Sequence, residues 1–215
     1  MLNRSLSEIL ILVPVILVAL TVHELAHAAV ALALGDDTAR KAGRITLNPI
    51  KHVDPIGFLM LLLVGFGWAK PVQFTRENLK KPVRDEVLVA FSGPLSNMVL
   101  AFLGALALRL VVGSPAISGL SSSSTIVDIL VTFCVINIVL AVFNALPIPP
   151  LDGSHLITTF LHEKHQHVLI LVTRYGFLLL IAIILIGRFT GYQLLPIVGI
   201  TNAIFEALLG LVGLR

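Results

Sequence analysis

Charge is scarce in this chain of 215 residues. Asp, Glu, Lys and Arg together make up 13%, and hydrophobic residues make up 57%, where a soluble globular domain carries about a quarter charged residues. A solvated surface cannot be built all round from so few charges, which excludes an ordinary soluble domain. Cysteine is nearly absent as well. Cys134 is the only one, so no intrachain disulfide can form and the redox compartment stays open. Internal repeats, coiled-coil heptads and a detachable soluble domain are also lacking. A net charge of +3 gives no footprint for nucleic acid; the basic residues act instead as topology signals.

What fills the chain is apolar runs. Four are long: Ile9–Leu34, Val87–Val112, Ile126–Pro147 and Val168–Ile186. A fifth, Leu194–Leu214, is interrupted by polar residues. About 20 residues cross the ~30 Å of hydrocarbon in a bilayer. The expected fold class is an all-α polytopic membrane protein with about five transmembrane helices, forming a single membrane-embedded domain over residues 1–215. Arg4, the apolar run behind it and the small residues at 29–33 also fit a cleaved signal peptide. That alternative would remove the polar residues discussed below.

Nine of the fifteen Lys and Arg residues lie between Arg40 and Arg84, and none lies in the serine-rich loop Gly113–Thr125. By the positive-inside rule, 35–86 is cytoplasmic and the serine loop external. Alternation then places 148–167 inside, 187–193 outside and Arg215 inside. On that reading the last two spans are antiparallel, with Arg174 and Glu206 at similar depth and able to pair. Within 35–86, "PIGFLMLLLVGFGW" holds about a dozen apolar residues, short for a span, and reads as a re-entrant segment. "GRITL" before it and "AKPVQF" after it read as short strands, giving a membrane-embedded β/re-entrant region between the first and second spans.

Inside the first run stands "HELAH". His23 and His27 are i and i+4 on a helix, so both rings project from one face and can bind one metal ion. Glu24 is one residue off that face, within reach of a metal-bound water. This is the H-E-x-x-H arrangement. Ionisable groups within a span cost roughly 2.5–3.5 kcal/mol each at mid-helix and are retained for function. The bland reading has both histidines merely hydrogen-bonded between helices. A catalytic zinc takes three protein ligands and one open position. The candidate third ligand is Asp152 in "FNALPIPPLDGSHL", where a span returns to the same membrane face and breaks at three prolines. Asp152 also fits an N-cap of the following helix.

"HELAH" within a span and "NALPIPPLDG" at the end of a later one resemble the site-2 protease family of intramembrane zinc metalloproteases. "GRITLNPIKHVDPIG", "GFGWAKPV" and "SGPLSN" look like its short prokaryotic members, which have neither a PDZ nor a CBS domain. Where the family often has Gly-Arg or Ser-Arg after LDG, this chain has Ser154-His155. The resemblance implies one Zn2+ held by His23, His27 and Asp152, with Glu24 as the proton acceptor. It implies an endopeptidase cutting single-span membrane proteins in or near their transmembrane segments. Asn144 takes the family's asparagine position and is the candidate oxyanion donor, or else an amide bonding the broken helix end. Gly67, Trp68, Ala69, Lys70 and Pro71 are the candidate edge that receives an unwound substrate. His52 is a candidate site-lining residue, or a structural one. The catalytic core then covers about 9–162, with accessory helices at 168–215. The implied setting is the cell membrane, multi-pass, with the site about 10 Å below the cytoplasmic helix end at 1.5 Å per residue.

Two rival functions use the same residues. A metal transporter also places histidines and carboxylates in spans, but spread along a path. A catalytically silent scaffold would have a damaged motif, and none of the four key residues is missing. His162, His165 and His167 read as a solvated helix end, Arg109 as a snorkelling side chain, and Gly93, Pro94 and Asn97 as helix-packing residues or as space beside the metal.

Overall fold

The computed structural model describes residues 5–64, 67–114, 123–157, 159, 166–191 and 195–214. Most of the serine-rich loop and the histidines at 162 and 165 lie outside these residues. Among the described residues the chain is helical, in the order α1 (Leu6–Ala33), α2 (Thr38–Lys41), α3 (Pro55–Val64), α4 (Pro82–Gly113), α5 (Ser123–Asn144), α6 (Gln166–Thr190) and α7 (Ile197–Leu211). Helices α1, α4, α5 and α6 each contain a stretch long and apolar enough to cross a membrane. The fifth run gives α7, whose 15 residues reach only about 22 Å.

Local chemistry sets the helix limits. Ser5 opens α1 with a capping box: its hydroxyl accepts the Glu8 amide, and the Glu8 carboxylate accepts the Ser5 amide. Proline stands in the first turn of α4, where its missing N–H costs nothing. Helix α5 stops at Asn144, just before the prolines of "LPIPP". α4 packs against both α1 and α5, and the contacts are lined by small residues. Ala19, Ala28, Ala31, Ala101 and Ala105 are fully buried. A Cβ on Gly104 would lie 2.8 Å from the Cys134 sulfur, so glycine is what lets α4 and α5 approach there.

The two expected strands are not formed among the described residues. One antiparallel bridge, Val53 with Ala69, is the β-pairing present, and Lys70 donates to the His52 carbonyl at 2.8 Å. Side chains satisfy the rest of this irregular backbone. The Arg44 guanidinium donates to the Lys70 carbonyl, and Glu24 accepts the Val72 amide at 2.8 Å. The reason is geometric: a buried extended segment needs its polar groups bonded, and buried charged side chains meet that need without a ladder. Helix α3 is ten residues long, about 15 Å or half the hydrocarbon thickness. Chain 67–68 lies directly on it. A Cβ on Gly57 would lie 2.9 Å from the Trp68 ring, and one on Gly67 would lie 2.6 Å from Leu61.

The direction of the fifth run differs from that expected by alternation. Ile204 sits beside Pro94, Ala141 and Ala145. One turn later, Leu208 joins Ala101, Ala105, Cys134 and Ile138. Gly213 comes level with the Arg109 guanidinium. Numbers therefore rise together along α7 and α4, and the two helices run in the same direction. Alternation assumes that every apolar run crosses completely, and α7 is too short for that. The antiparallel packing expected for Arg174 and Glu206 does not describe α7, which packs on α5 and α4; the Arg174 guanidinium stands 5.7 Å from the Tyr175 ring centre.

Past the end of α1, Asp36 is fully buried and gathers the loops. Its carboxylate accepts the amides of Thr38 and Thr75 and the side-chain amide of Asn78. Burial pushes this carboxyl up, but the hydrogen bonds from Asn78, Thr38 and Thr75 outweigh it and hold it below the ordinary carboxylate range. A lowered folded-state value means that the stabilisation is present at neutral pH and is lost as pH falls through the carboxylate range. Asp36→Ala should cost about 2–4 kcal/mol by leaving buried donors unpaired. In thermal unfolding of the purified protein, the gap between variant and wild type should narrow below about pH 4.

Candidate metal centre

The i, i+4 spacing on α1 puts His23 and His27 on one buried face, exposed by only 4% and 8%. Asp152 arrives from the turn after α5. That turn is closed by the Gly153 amide donating to the Asn144 carbonyl at 2.7 Å. Gly153 is needed there, because a Cβ would collide with the backbone of Ala145 and Leu146. Asp152 Oδ2 then lies 3.0 Å from His23 Nε2 and 3.4 Å from His27 Nε2. The two Nε2 atoms are 3.1 Å apart. A tetrahedral zinc with bonds of about 2.0–2.1 Å separates its ligand atoms by about 3.3 Å. The three atoms match that triangle to within a few tenths of an ångström.

The outer ring nitrogens decide which atoms face inward. His27 Nδ1 donates to the Val89 carbonyl at 2.7 Å. His23 Nδ1 donates to Asn97 Oδ1 at 2.6 Å. Asn97 cannot be turned round, because its amide nitrogen donates to the Ala19 carbonyl and to Asn137 Oδ1. Asn137 is fixed in turn by donating to the Phe133 carbonyl. Both asparagines are completely buried. Each imidazole therefore carries its proton on Nδ1 and presents a bare Nε2 lone pair. Two lone pairs and a carboxylate oxygen aimed at one point repel unless a cation stands among them. Without one, an extra proton on an imidazole must bridge to Asp152. The donor set is that of zinc.

Gly93 makes the room. A Cβ there would lie 2.6 Å from His23 Nε2 and collide with His27 as well, so α4 can face the two rings only through this glycine. Glu24, 7% exposed, lies beside the histidines in a cavity of about 340 Å³. Its Oε2 is held by the Val72 amide. Asp152 and Asn144 also line the cavity, as do Gly67, Trp68, Ala69 and Pro71. The Asn144 amide donates to the Leu140 carbonyl of its own helix at 3.0 Å. Lys70 and His52 stand outside the lining. His52 is fully buried in its loop, with Nε2 bonded to the Thr46 carbonyl at 2.8 Å.

Several residues of the site escape the sequence reading. Phe177 and Leu180 of α6 close the cavity on one side, and Phe177 meets Trp68 edge to face, with ring centres 6.4 Å apart. Helix α6 thus contributes to the site itself. Asn97 and Asn137 are legible only as amides inside apolar runs, which by itself fits helix packing. Val72 gives no signal, since its backbone amide, not its side chain, does the work.

Comparison with known proteins agrees with this geometry. The profile of peptidase family M50 matches residues 11–125 and 111–183. The chain belongs to peptidase family M50. It is 40% identical over 206 residues to the Bacillus subtilis protein named "Putative zinc metalloprotease YwhC", covering 92% of this chain and 94% of that one. It is 29% identical over 190 residues to "Putative zinc metalloprotease Rip2" of Mycolicibacterium smegmatis, covering 85% and 70%. No solved structure is matched. As an M50 peptidase the chain is a zinc metalloprotease, a hydrolase.

Two outcomes test the centre. Asn97→Leu removes the acceptor that fixes the His23 tautomer, and should weaken zinc binding about 10–100-fold, read by competition with a chelator of known affinity. Zinc also competes with protons for both imidazoles. Affinity should therefore fall as the pH is lowered, and calorimetry in buffers of different ionisation enthalpy should detect protons released on binding.

Proposed function

We propose that this M50 peptidase is an intramembrane zinc endopeptidase that cuts single-span membrane proteins in or near their transmembrane segments. The observation that carries the reading is the convergence of His23, His27 and Asp152 on one point, with Glu24 beside them, in a cavity walled by apolar helices. Convergence on one point favours hydrolysis over transport, since an ion pathway spreads its ligands across the bilayer. One Zn2+ per chain is held by the two Nε2 atoms and Asp152. The basic loops around the site set it at the cytoplasmic face of the cell membrane, and α3 is a re-entrant helix that does not cross.

Zinc in such a site supplies a Lewis acid that brings the pKa of a water down to about 7. The protein does the rest. Glu24, oriented by the Val72 amide, accepts the proton of the attacking water and returns it to the leaving amine. The Asn144 amide, already on the cavity wall, turns from the Leu140 carbonyl to donate to the developing oxyanion. A helical substrate must first unwind, and unwound backbone in lipid is costly unless bonded. The chain from Gly67 to Pro71 lies along the cavity and receives it by backbone pairing, held from behind by the His52 carbonyl, which accepts the Lys70 amide.

The test is Glu24→Gln, purified and coexpressed with a library of single-span membrane proteins. The variant should keep wild-type zinc and lose cleavage by at least a hundredfold, because glutamine cannot take the proton. Wild-type turnover by the zinc-loaded variant would reject the mechanism. Cleavage confined to soluble, unfolded chains would reject the membrane substrate.

A further inference from the structure

A second cavity, of about 300 Å³, opens from the first. The two share Leu20, Gly67, Trp68, Ala69, Leu140 and Phe143 as a common wall. From there the second cavity runs away from the metal centre along α1, past Ile16 to Leu12, and along α5 back to Ile136. Phe58 and Leu61 of α3 form its cover. Its wall is built from apolar and aromatic side chains throughout, whereas the first cavity carries His23, Glu24 and Asp152. From Leu12 to His23 is eleven residues of helix, about 16 Å. An extended chain covers that distance in about five residues.

We propose that this second cavity is a substrate subsite: it takes the apolar residues of an extended transmembrane segment on the external side of the scissile bond, and selects a large aliphatic or aromatic side chain there. The inference rests on the membrane-protease reading above and extends it to specificity. Continuity decides the occupant. A chain whose carbonyl reaches the His23–Asp152 point and follows the Gly67–Ala69 wall continues into this cavity. A charged side chain is excluded, because the wall carries no charged side chain to pair with it and offset its desolvation. A small side chain leaves the cavity unfilled and forfeits the transfer of apolar surface out of its alternative environment and into close packing.

The experiment uses the full-length chain in lipid, with single-span substrates that carry Ala, Leu, Phe or Asp at each of the five positions on the external side of the cut. Wild type should prefer Leu or Phe over Ala by about tenfold or more in kcat/KM at one of these positions, and should leave the Asp substrate uncut. Ile136→Trp, which fills the cavity, should bring the Leu-to-Ala ratio down at least tenfold with zinc content retained. Equal rates for all side chains with wild type would overturn the subsite. A binding measurement stands beside the kinetics: a benzophenone amino acid placed at position 136 of the Glu24→Gln chain should crosslink to the substrate within about five residues of the cut. Crosslinks to lipid alone would assign the cavity to an acyl chain and overturn the proposal. Crosslinks to a substrate that wild type does not cut would leave the subsite standing and reject the protease reading.

Discussion

Two imidazole lone pairs and a carboxylate oxygen are held within 3.4 Å of one another inside a nearly uncharged helical assembly. No arrangement of neutral groups makes that favourable; the repulsion is relieved only by a cation or a shared proton. The rest of the fold is arranged around this constraint. Helix α4 approaches through Gly93, because a Cβ there would collide with the Nε2 atoms of both imidazoles. Asn97 and Asn137 spend their hydrogen bonds in one chain from Phe133 to His23, which fixes where the His23 proton sits. Buried amides of this kind are costly unless fully bonded. Here they are bonded, and that rigidity holds the lone pairs in place.

A second constraint shapes the segment between α1 and α4. Irregular backbone beside a membrane-embedded cavity must find partners for every N–H and carbonyl. The chain meets this with buried polar side chains: Asp36 gathers Thr38, Thr75 and Asn78, Arg44 holds Lys70, and Glu24 holds Val72. The Glu24 bond serves structure and chemistry at once. The group that would take the proton is positioned by the same loop that would receive the substrate, so placing the loop also sets the angle of the base.

The candidate metal centre is readable because its chemistry depends on short-range spacing. HELAH fixes two rings on one helix face whatever that helix packs against, and LDG after a proline break marks where a carboxylate returns. Contacts that depend on the packing of distant segments are not readable in this way. Asn97 and Asn137 sit in separate spans, and nothing in either run says that the two amides meet. Phe177 belongs to a run that reads as accessory, yet it closes the cavity over Trp68. The expected strands also fail for this reason: Gly, Pro and β-branched spacing permits an extended chain but does not say whether another chain or a side chain will satisfy it.

The sequence by itself therefore determined the apolar helices, the membrane class, and the candidate pair His23 and His27 with Glu24 between them, because periodicity and i, i+4 spacing are properties of a single helix. The tertiary structure alone decided the imidazole tautomers, the space opened by Gly93, the direction of α7 and the second cavity. Each of these depends on which faces of separate helices meet, and apolar helices in a bundle present faces too alike in composition for a linear pattern to distinguish.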